Sequence, residues 1–249
     1  MNKKKTLSAL CAVLSLCCYQ VEAQNLERVL RAAEIPPEYA RVIRSDGQAF
    51  MNDLQVCLSG DPYLRYLVDK QHGLPDRYEP DDLVELRGGS YTILEWGMYL
   101  RRSAALALEE LAAAAKADGV TLMASSAYRP YSHQERTYAR NVREMGQKEA
   151  SRVSARPGHS QHQLGLVVDF GSITDAFADT RAGRWILVNA SRFGWSLSFP
   201  QGYENITGYK WESWHYRYVG RNLTYFIDTW FGGIQQYALQ FIHEWEQER

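Results

Sequence analysis

The chain has 249 residues, of which 45% are hydrophobic, 23% charged and 12% aromatic. This length and balance exclude a disulfide-stapled mini-protein and a disordered chain, and they predict a folded protein with a sizeable core. The 28 basic and 29 acidic residues give a formal net charge of −1. Because nucleic-acid binders carry a basic excess, we expect no nucleic-acid partner.

The first 23 residues have the organisation of a secretory signal peptide. Residues 3–5 are lysines, residues 7–18 are mostly apolar, and residues 21–23 (Val-Glu-Ala) form a small-x-small end. Twelve apolar residues are too few to cross a hydrocarbon core of about 30 Å, and no later stretch approaches the roughly 20 needed. The sequence therefore predicts cleavage before Gln24 and an exported chain, periplasmic or extracellular, with no transmembrane segment.

Three of the four cysteines lie inside this segment, and Cys57 alone follows it. Cleavage would therefore leave no partner for an internal disulfide. A lipoprotein anchored at Cys17 or Cys18 is the alternative. Leu16 disfavours it, because a small residue is expected before the lipidated cysteine.

The remaining pattern mixes helices with short strands and indicates one α+β domain with a small, mainly antiparallel sheet flanked by helices. Residues 75–89 are predicted to be an extended loop. The predicted helices cover two or three short segments within 25–59, then 98–117, 132–148, 181–193 and 223–246, and the predicted strands cover 120–124, 166–170, 195–199 and 214–219.

Two of the six histidines lie close in sequence to carboxylates. His162 precedes Asp169 by seven positions, and Glu212 precedes His215 by three. A catalytic zinc takes three ligands from histidines and carboxylates, while a nearby carboxylate outside the ligand set accepts a proton from water. These four residues supply that set, although the spacing alone equally fits surface ion pairs.

A shared metal site requires the chain to bend. Seven residues of straight strand span about 23 Å, too far for His162 and Asp169 to reach one ion, and Gly165 is the residue that permits a turn. Positions 212 and 215 point to opposite faces of a regular strand. We therefore expect Glu212 on the irregular approach to the strand that holds His215.

Residues 160–169, Ser-Gln-His-Gln-Leu-Gly-Leu-Val-Val-Asp, resemble the Ser-x-His-x-x-Gly-x-Ala-x-Asp signature of the zinc D-alanyl-D-alanine carboxypeptidases of the vancomycin-resistance type. Residues 212–215, Glu-Ser-Trp-His, resemble the same family's glutamate and Trp-His motif. The resemblance runs in order over residues 63–220. Further matches lie at 67–70, 74–75, 78, 80, 82–84, 126–129, 134, 155–158, 207–209 and 217–220.

The resemblance implies a zinc ion held by His162, Asp169 and His215, within the small sheet. It further implies Glu212 as the proton acceptor and Arg129 as a guanidinium that stabilises negative charge on the substrate oxygen. The other histidines match no ligand motif and are interpreted as structural or surface groups: His72, His133, His159 and His243.

The resemblance also implies that Ser160 and Gln134 bind the terminal carboxylate or neighbouring amide of a peptidoglycan stem peptide. The metal motifs do not separate a D,D-carboxypeptidase from an L,D-carboxypeptidase or an endopeptidase. Departures from the family pattern at 164, 167, 198 and 213 spare the ligands and leave substrate preference open. A non-catalytic zinc module is disfavoured, because it would need neither Glu212 nor Arg129.

These interpretations divide the chain into four parts. Residues 1–23 form the signal peptide, 24–62 an N-terminal helical segment, 63–220 the zinc carboxypeptidase domain and 221–249 a C-terminal helical extension.

Overall fold

A computed structural model describes residues 24–75 and 77–248, so the predicted signal peptide lies outside the described residues. Helices α1 to α9 cover 24–32, Pro37–Ser45, Gly47–Leu58, Arg102–Ala117, Tyr131–Val153, Arg181–Asn189, Glu204–Thr207, Arg221–Phe231 and Gln235–Gln247. Strands β1 to β7 cover Leu83–Glu85, Thr92–Ile93, Tyr99–Arg101, Met123–Ser126, Val167–Phe170, Trp195–Leu197 and His215–Tyr218. This mixture confirms the predicted α+β class.

The main sheet has five strands in the order β2-β4-β5-β7-β6. Only β2 and β4 run parallel within it, and the other neighbours are antiparallel. Strands β1 and β3 form a separate antiparallel pair. The prediction of a small, mainly antiparallel sheet is therefore confirmed.

Strand alternation gives the two faces of this sheet different chemistry. Val168, Phe170 and Tyr216 belong to the apolar core that includes helix α4. Asp169 and His215 alternate with them along β5 and β7, and the register places these two residues directly opposite each other. Because successive side chains of a strand point to opposite faces, the second face carries the polar pair.

Helix α4 covers the apolar face with small and branched side chains at helical spacing. Alanine and leucine are both strong helix formers, and the stripe recurs every three or four residues, which keeps it on one side of the helix. Asp118 and Gly119 end the helix, as predicted. The buried stripe consists of Ala104, Ala107, Leu108, Leu111, Ala112 and Ala115.

The two ends of the described chain share a second, helical core. Helices α1 to α3 pack against α8 and α9 around Phe50, whose ring centroid lies 5.2 Å from that of Phe226 and 5.0 Å from that of Phe241. Gln236 on α9 donates a 2.8 Å hydrogen bond to Asp69, which ties this core to the segment before the sheet. The segment boundaries proposed at residues 62 and 220 remain predictions.

Element bounds differ from the sequence prediction where strand pairing is non-local. The helix predicted over 98–117 begins only at Arg102, because Tyr99–Arg101 forms β3. The loop predicted over 75–89 contains β1, in which Val84 pairs with Leu100 of β3. The pairing of β1 with β3 joins residues that are distant in sequence, and local periodicity does not reveal such pairing. The sequence therefore predicts neither β1 nor β3.

Smaller differences occur at element ends. The strand predicted over 120–124 lies at Met123–Ser126. The helix predicted over 132–148 extends to Val153 and is interrupted at Gly146. The tail predicted as one helix is divided into two helices at Gly232.

Within the described part of the chain, no helix combines the length and the apolar character needed to cross a membrane.

Candidate metal centre

The bend predicted between His162 and Asp169 is present at Gly165. His162 lies on a short 3-10 helix, Gln161–Leu164, which ends at Gly165 in the left-handed region with φ 69°. A Cβ there would lie 3.0 Å from Leu83 Cδ2 and from Arg101 Cγ, so both the conformation and the close packing favour glycine. The turn feeds directly into β5 and so brings His162 back beside Asp169.

Glu212 lies outside the regular strand, as predicted. Strand β7 begins at His215, and the preceding residues form a turn in which the His215 N–H donates to the Glu212 carbonyl at 3.2 Å. The Glu212 N–H donates to the Phe199 carbonyl at 3.0 Å, which fixes this approach to the strand. Glu212 thereby places its carboxylate beside His215, with Oε2 3.4 Å from Nδ1.

The three predicted ligands converge on one point. His162 Nε2 lies 3.2 Å from Asp169 Oδ2, and His215 Nδ1 lies 3.1 Å from Asp169 Oδ1. All three side chains are buried, with exposures of 5%, 4% and 4% for His162, Asp169 and His215. Each of the three residues offers one ligand atom, and these three atoms all lie within 4.8 Å of one another.

This donor set fits a zinc ion. Imidazole nitrogens and carboxylate oxygens are zinc ligands, and atoms about 2.0–2.2 Å from one tetrahedral ion lie about 3.4 Å apart. The two histidine–aspartate separations, 3.2 Å and 3.1 Å, are close to this distance. Asp169 Oδ1 is buried, and its 3.1 Å approach to His215 Nδ1 lacks hydrogen-bond geometry, so among the described residues it has no hydrogen-bond partner. Because a buried polar atom without a partner is costly, the geometry leaves this oxygen for a metal.

Both histidines use their other ring nitrogen away from this point. His162 Nδ1 donates to the backbone carbonyl of Ala127 at 2.7 Å. His215 Nε2 lies 3.3 Å from the side-chain oxygen of Gln161. The Phe199 ring packs against the His215 imidazole, with centroids 4.7 Å apart.

Burial and charge give the titratable groups distinct pKa values. Burial lowers the pKa of His162 to about 4. Burial opposes ionisation of Asp169, but the two adjacent histidines outweigh it and hold its pKa below the usual range. Burial raises the pKa of Glu212 to about 7, against the opposing effect of His215. A carboxyl with a pKa near neutrality suits proton transfer in both directions.

Arg129 reaches the same site from the loop after β4. Its Nη1 donates to Gln134 Oε1 at 3.0 Å, and its Nη2 donates to Ser126 Oγ at 3.1 Å. The Gln134 amide nitrogen donates to Ala155 O at 2.7 Å and to Ser154 Oγ at 3.2 Å. Burial lowers the pKa of Arg129, while the charges of the nearby carboxylates oppose that effect.

All seven predicted site residues line one cavity of about 140 Å³, although the individual roles assigned to them stay predictions. Ser160 is a buried side chain of this lining. The seven residues are Arg129, Gln134, Ser160, His162, Asp169, Glu212 and His215.

Of the four other histidines, all within the described residues, His159 alone borders this cavity. Its Nδ1 donates to the Asp69 carbonyl at 2.8 Å. His133 is exposed, and His72 packs against His243 with ring centroids 4.6 Å apart.

Sequence reasoning missed the contact of Gln161 with His215, because Gln161 occupies a position that the signature leaves unspecified.

Comparison with known proteins identifies the same region of the chain. The family model described as VanY, D-alanyl-D-alanine carboxypeptidase, matches residues 97–221, half of the chain. YodJ of Bacillus subtilis (strain 168) is 39% identical over 163 residues, which cover 62% of this chain and 59% of YodJ. A D-alanyl-D-alanine carboxypeptidase of Enterococcus faecalis (strain ATCC 700802 / V583) is 32% identical over 212 residues, covering 79% of this chain and 76% of that protein.

Two solved structures show a similar fold. The LdcB LD-carboxypeptidase is 34% identical with a TM-score of 0.60, and the match covers 68% of this chain and 85% of that chain. A mutant of the vancomycin-resistance D,D-pentapeptidase VanY in complex with Zn(II) is 30% identical with a TM-score of 0.60, and the match covers 71% of this chain and 99% of that chain. From the family match and these likenesses, the chain belongs to the VanY family of D-alanyl-D-alanine carboxypeptidases.

Proposed function

We propose that this protein is an exported zinc metallopeptidase that removes the C-terminal D-alanine from peptidoglycan stem peptides. The observation that carries the proposal is the convergence of the buried side chains of His162, Asp169 and His215 beside Glu212 in one cavity. Membership of the VanY family and the likeness to a Zn(II) complex support zinc as the metal.

Glu212 is the proposed proton carrier. When bound, zinc would polarise the substrate carbonyl and lower the pKa of a coordinated water to about 7. Glu212 Oε2 lies beside the ligand set and accepts the proton of the attacking water. With a pKa of about 7, the same carboxyl then donates this proton to the leaving amine of D-alanine.

Arg129 is the proposed stabiliser of developing charge. Attack on the scissile carbonyl places negative charge on its oxygen, and a guanidinium held in advance stabilises that charge without reorganisation. The contacts of Arg129 with Gln134 and Ser126 supply this fixed orientation. Gln134 therefore acts in part through Arg129, in addition to the substrate contact proposed from the family pattern.

Ser160 is the proposed contact for the substrate's terminal carboxylate. It lies two residues before His162 and lines the cavity beside the ligands. A hydroxyl at this position fixes which peptide bond lies over the metal.

The bond cleaved is tested by mass spectrometry of zinc-loaded protein incubated separately with stem pentapeptide and tetrapeptide. Loss of one alanine from the pentapeptide alone supports the proposal. Loss from the tetrapeptide alone would instead assign L,D-carboxypeptidase activity, the alternative that the LdcB likeness favours. Internal cleavage would indicate an endopeptidase, and cleavage of neither peptide would favour a non-catalytic zinc module.

Export is proposed from the sequence of residues 1–23 alone. The mass of the protein recovered from the producing cells tests it, since cleavage at the predicted site gives a chain that begins at Gln24. An uncleaved N-terminus would contradict export by this route. A mass increase matching a diacylglyceryl group on Cys17 or Cys18 would establish the lipoprotein alternative.

A further inference from the structure

Two buried glutamines flank His162 on its 3-10 helix, and they make different contacts. The Gln161 side-chain oxygen lies 3.3 Å from His215 Nε2. The Gln163 side-chain nitrogen donates to the Tyr78 carbonyl at 3.0 Å, away from both histidines. Gln161 is 5% exposed and Gln163 1% exposed, so each amide is held by its protein contacts rather than by bulk water.

The orientation of His215 requires an acceptor at Nε2. Its Nδ1 faces Asp169 Oδ1 at 3.1 Å, and a nitrogen that binds a metal must carry no proton. A neutral imidazole carries one proton, which then lies on Nε2. Because His215 is 4% exposed, this N–H needs a partner from the protein, and Gln161 Oε1 is within reach.

We propose that Gln161 is a positioning residue, which holds His215 in the Nε2–H tautomer with Nδ1 directed at the metal position. The inference rests on the proposed zinc site and assigns a role to a residue that the family signature leaves unspecified. Acceptors at the outer nitrogen of a metal-binding histidine fix both its ring orientation and its tautomer.

The two histidines differ in how their outer nitrogens are satisfied. His162 Nδ1 donates to a backbone carbonyl, that of Ala127, which no side-chain substitution removes. His215 depends on a side chain from the position next to His162. The 3-10 helix thus supplies one ligand directly and orients the second one, so displacement of this helix would disturb both.

The test measures zinc affinity by competition with a chromophoric chelator at fixed neutral pH. Gln161→Leu keeps the approximate volume and removes the acceptor, and we expect zinc to bind about 10- to 100-fold more weakly. Gln161→Glu keeps an acceptor and should bind zinc at least as tightly as the wild type does. Gln163→Leu is the matched control, since it removes a buried amide from the same helix, and its zinc affinity should stay within about threefold of wild type.

A second measurement reads the tautomer directly. In the zinc-loaded wild-type protein, ¹⁵N NMR should show the proton of His215 on Nε2, and in Gln161→Leu a second population with the proton on Nδ1 should appear. Unchanged zinc affinity in Gln161→Leu, an equal loss in Gln163→Leu, or a wild-type proton on Nδ1 would each overturn the proposal.

These outcomes separate the inference from the proposed function. If the wild-type protein bound no zinc, the proposed function and this inference would both fail, whereas zinc binding by the wild type with unchanged affinity in Gln161→Leu would overturn the inference alone. If Gln161→Leu failed to fold, the wild-type tautomer and the affinity of Gln161→Glu would decide it.

Discussion

Asp169 and His215 lie directly opposite one another on the antiparallel strands β5 and β7, with Oδ1 and Nδ1 3.1 Å apart. The pairing register therefore fixes two of the three proposed ligands on one face of the sheet. A shift of one residue in either strand would turn one of them into the apolar core. The metal site and the sheet depend on the same register.

Loss of a ligand should abolish metal binding. His215→Ala removes one of three donors and leaves Asp169 with an unmatched buried charge, so we expect zinc content to fall from one ion per chain to near zero. His133→Ala is the control, because this exposed histidine lies outside the ligand group. Elemental analysis of the purified proteins checks the prediction, and full zinc retention by His215→Ala would remove His215 from the ligand set.

Arg129→Met should impair turnover far more than substrate binding. The substitution removes the guanidinium that Gln134 and Ser126 hold in place, and loss of a donor of this kind lowers kcat by roughly 10²- to 10³-fold. Steady-state kinetics on the cleaved stem peptide test this. Arg136→Met, on the exposed side of α5, serves as the control and should leave kcat unchanged. A rise in KM with an unaltered kcat would show that Arg129 contributes only to binding.

Gly183 is required by a close backbone approach. A Cβ at this position of α6 would overlap the Phe177 carbonyl oxygen, so Gly183→Ala should lower the free energy of unfolding by about 1–3 kcal/mol. Gly47→Ala, in helix α3, meets nothing within 4 Å and should be neutral or stabilising by up to about 1 kcal/mol. Urea denaturation of both variants checks the contrast, and equal stabilities would refute the packing around α6.

Cys57 should be unreactive in the folded protein. Burial raises the pKa of its thiol to about 12, and the side chain is 8% exposed in the helical core. The reactive thiolate is therefore scarce at neutral and mildly alkaline pH and becomes common only as pH approaches that pKa. Iodoacetamide labelling followed by mass spectrometry should show little modification at pH 8 until urea unfolds the chain. Rapid labelling of the native protein would place Cys57 at an accessible surface.

The sequence predicted the local geometry of the site because local chemistry determines it. The Gly165 turn and the irregular approach through Glu212 both follow from strand geometry and from the reach of a side chain. The ligand roles came from resemblance, since the spacing alone also fits surface ion pairs. The break at Gly232 had a visible signal in the Gly-Gly pair, which the prediction of one continuous tail helix overlooked.

Non-local contacts could not be predicted in the same way. The pairing of β1 with β3 and the association of Phe50 with Phe226 join segments whose individual patterns do not identify a partner. The contact of Gln161 with His215 has the same origin, because 54 positions separate the two residues. Each of these relationships depends on the folded topology, which periodicity does not encode.

The most direct test of the account is a paired measurement of zinc content and stem-peptide hydrolysis in wild-type protein and in Glu212→Gln. We expect one zinc ion per chain in both proteins and a loss of about 10²- to 10⁴-fold in kcat for the variant, because the amide cannot accept the proton of water. Loss of zinc from Glu212→Gln would make Glu212 a ligand, and undiminished hydrolysis would remove it from the reaction; either result would contradict the account.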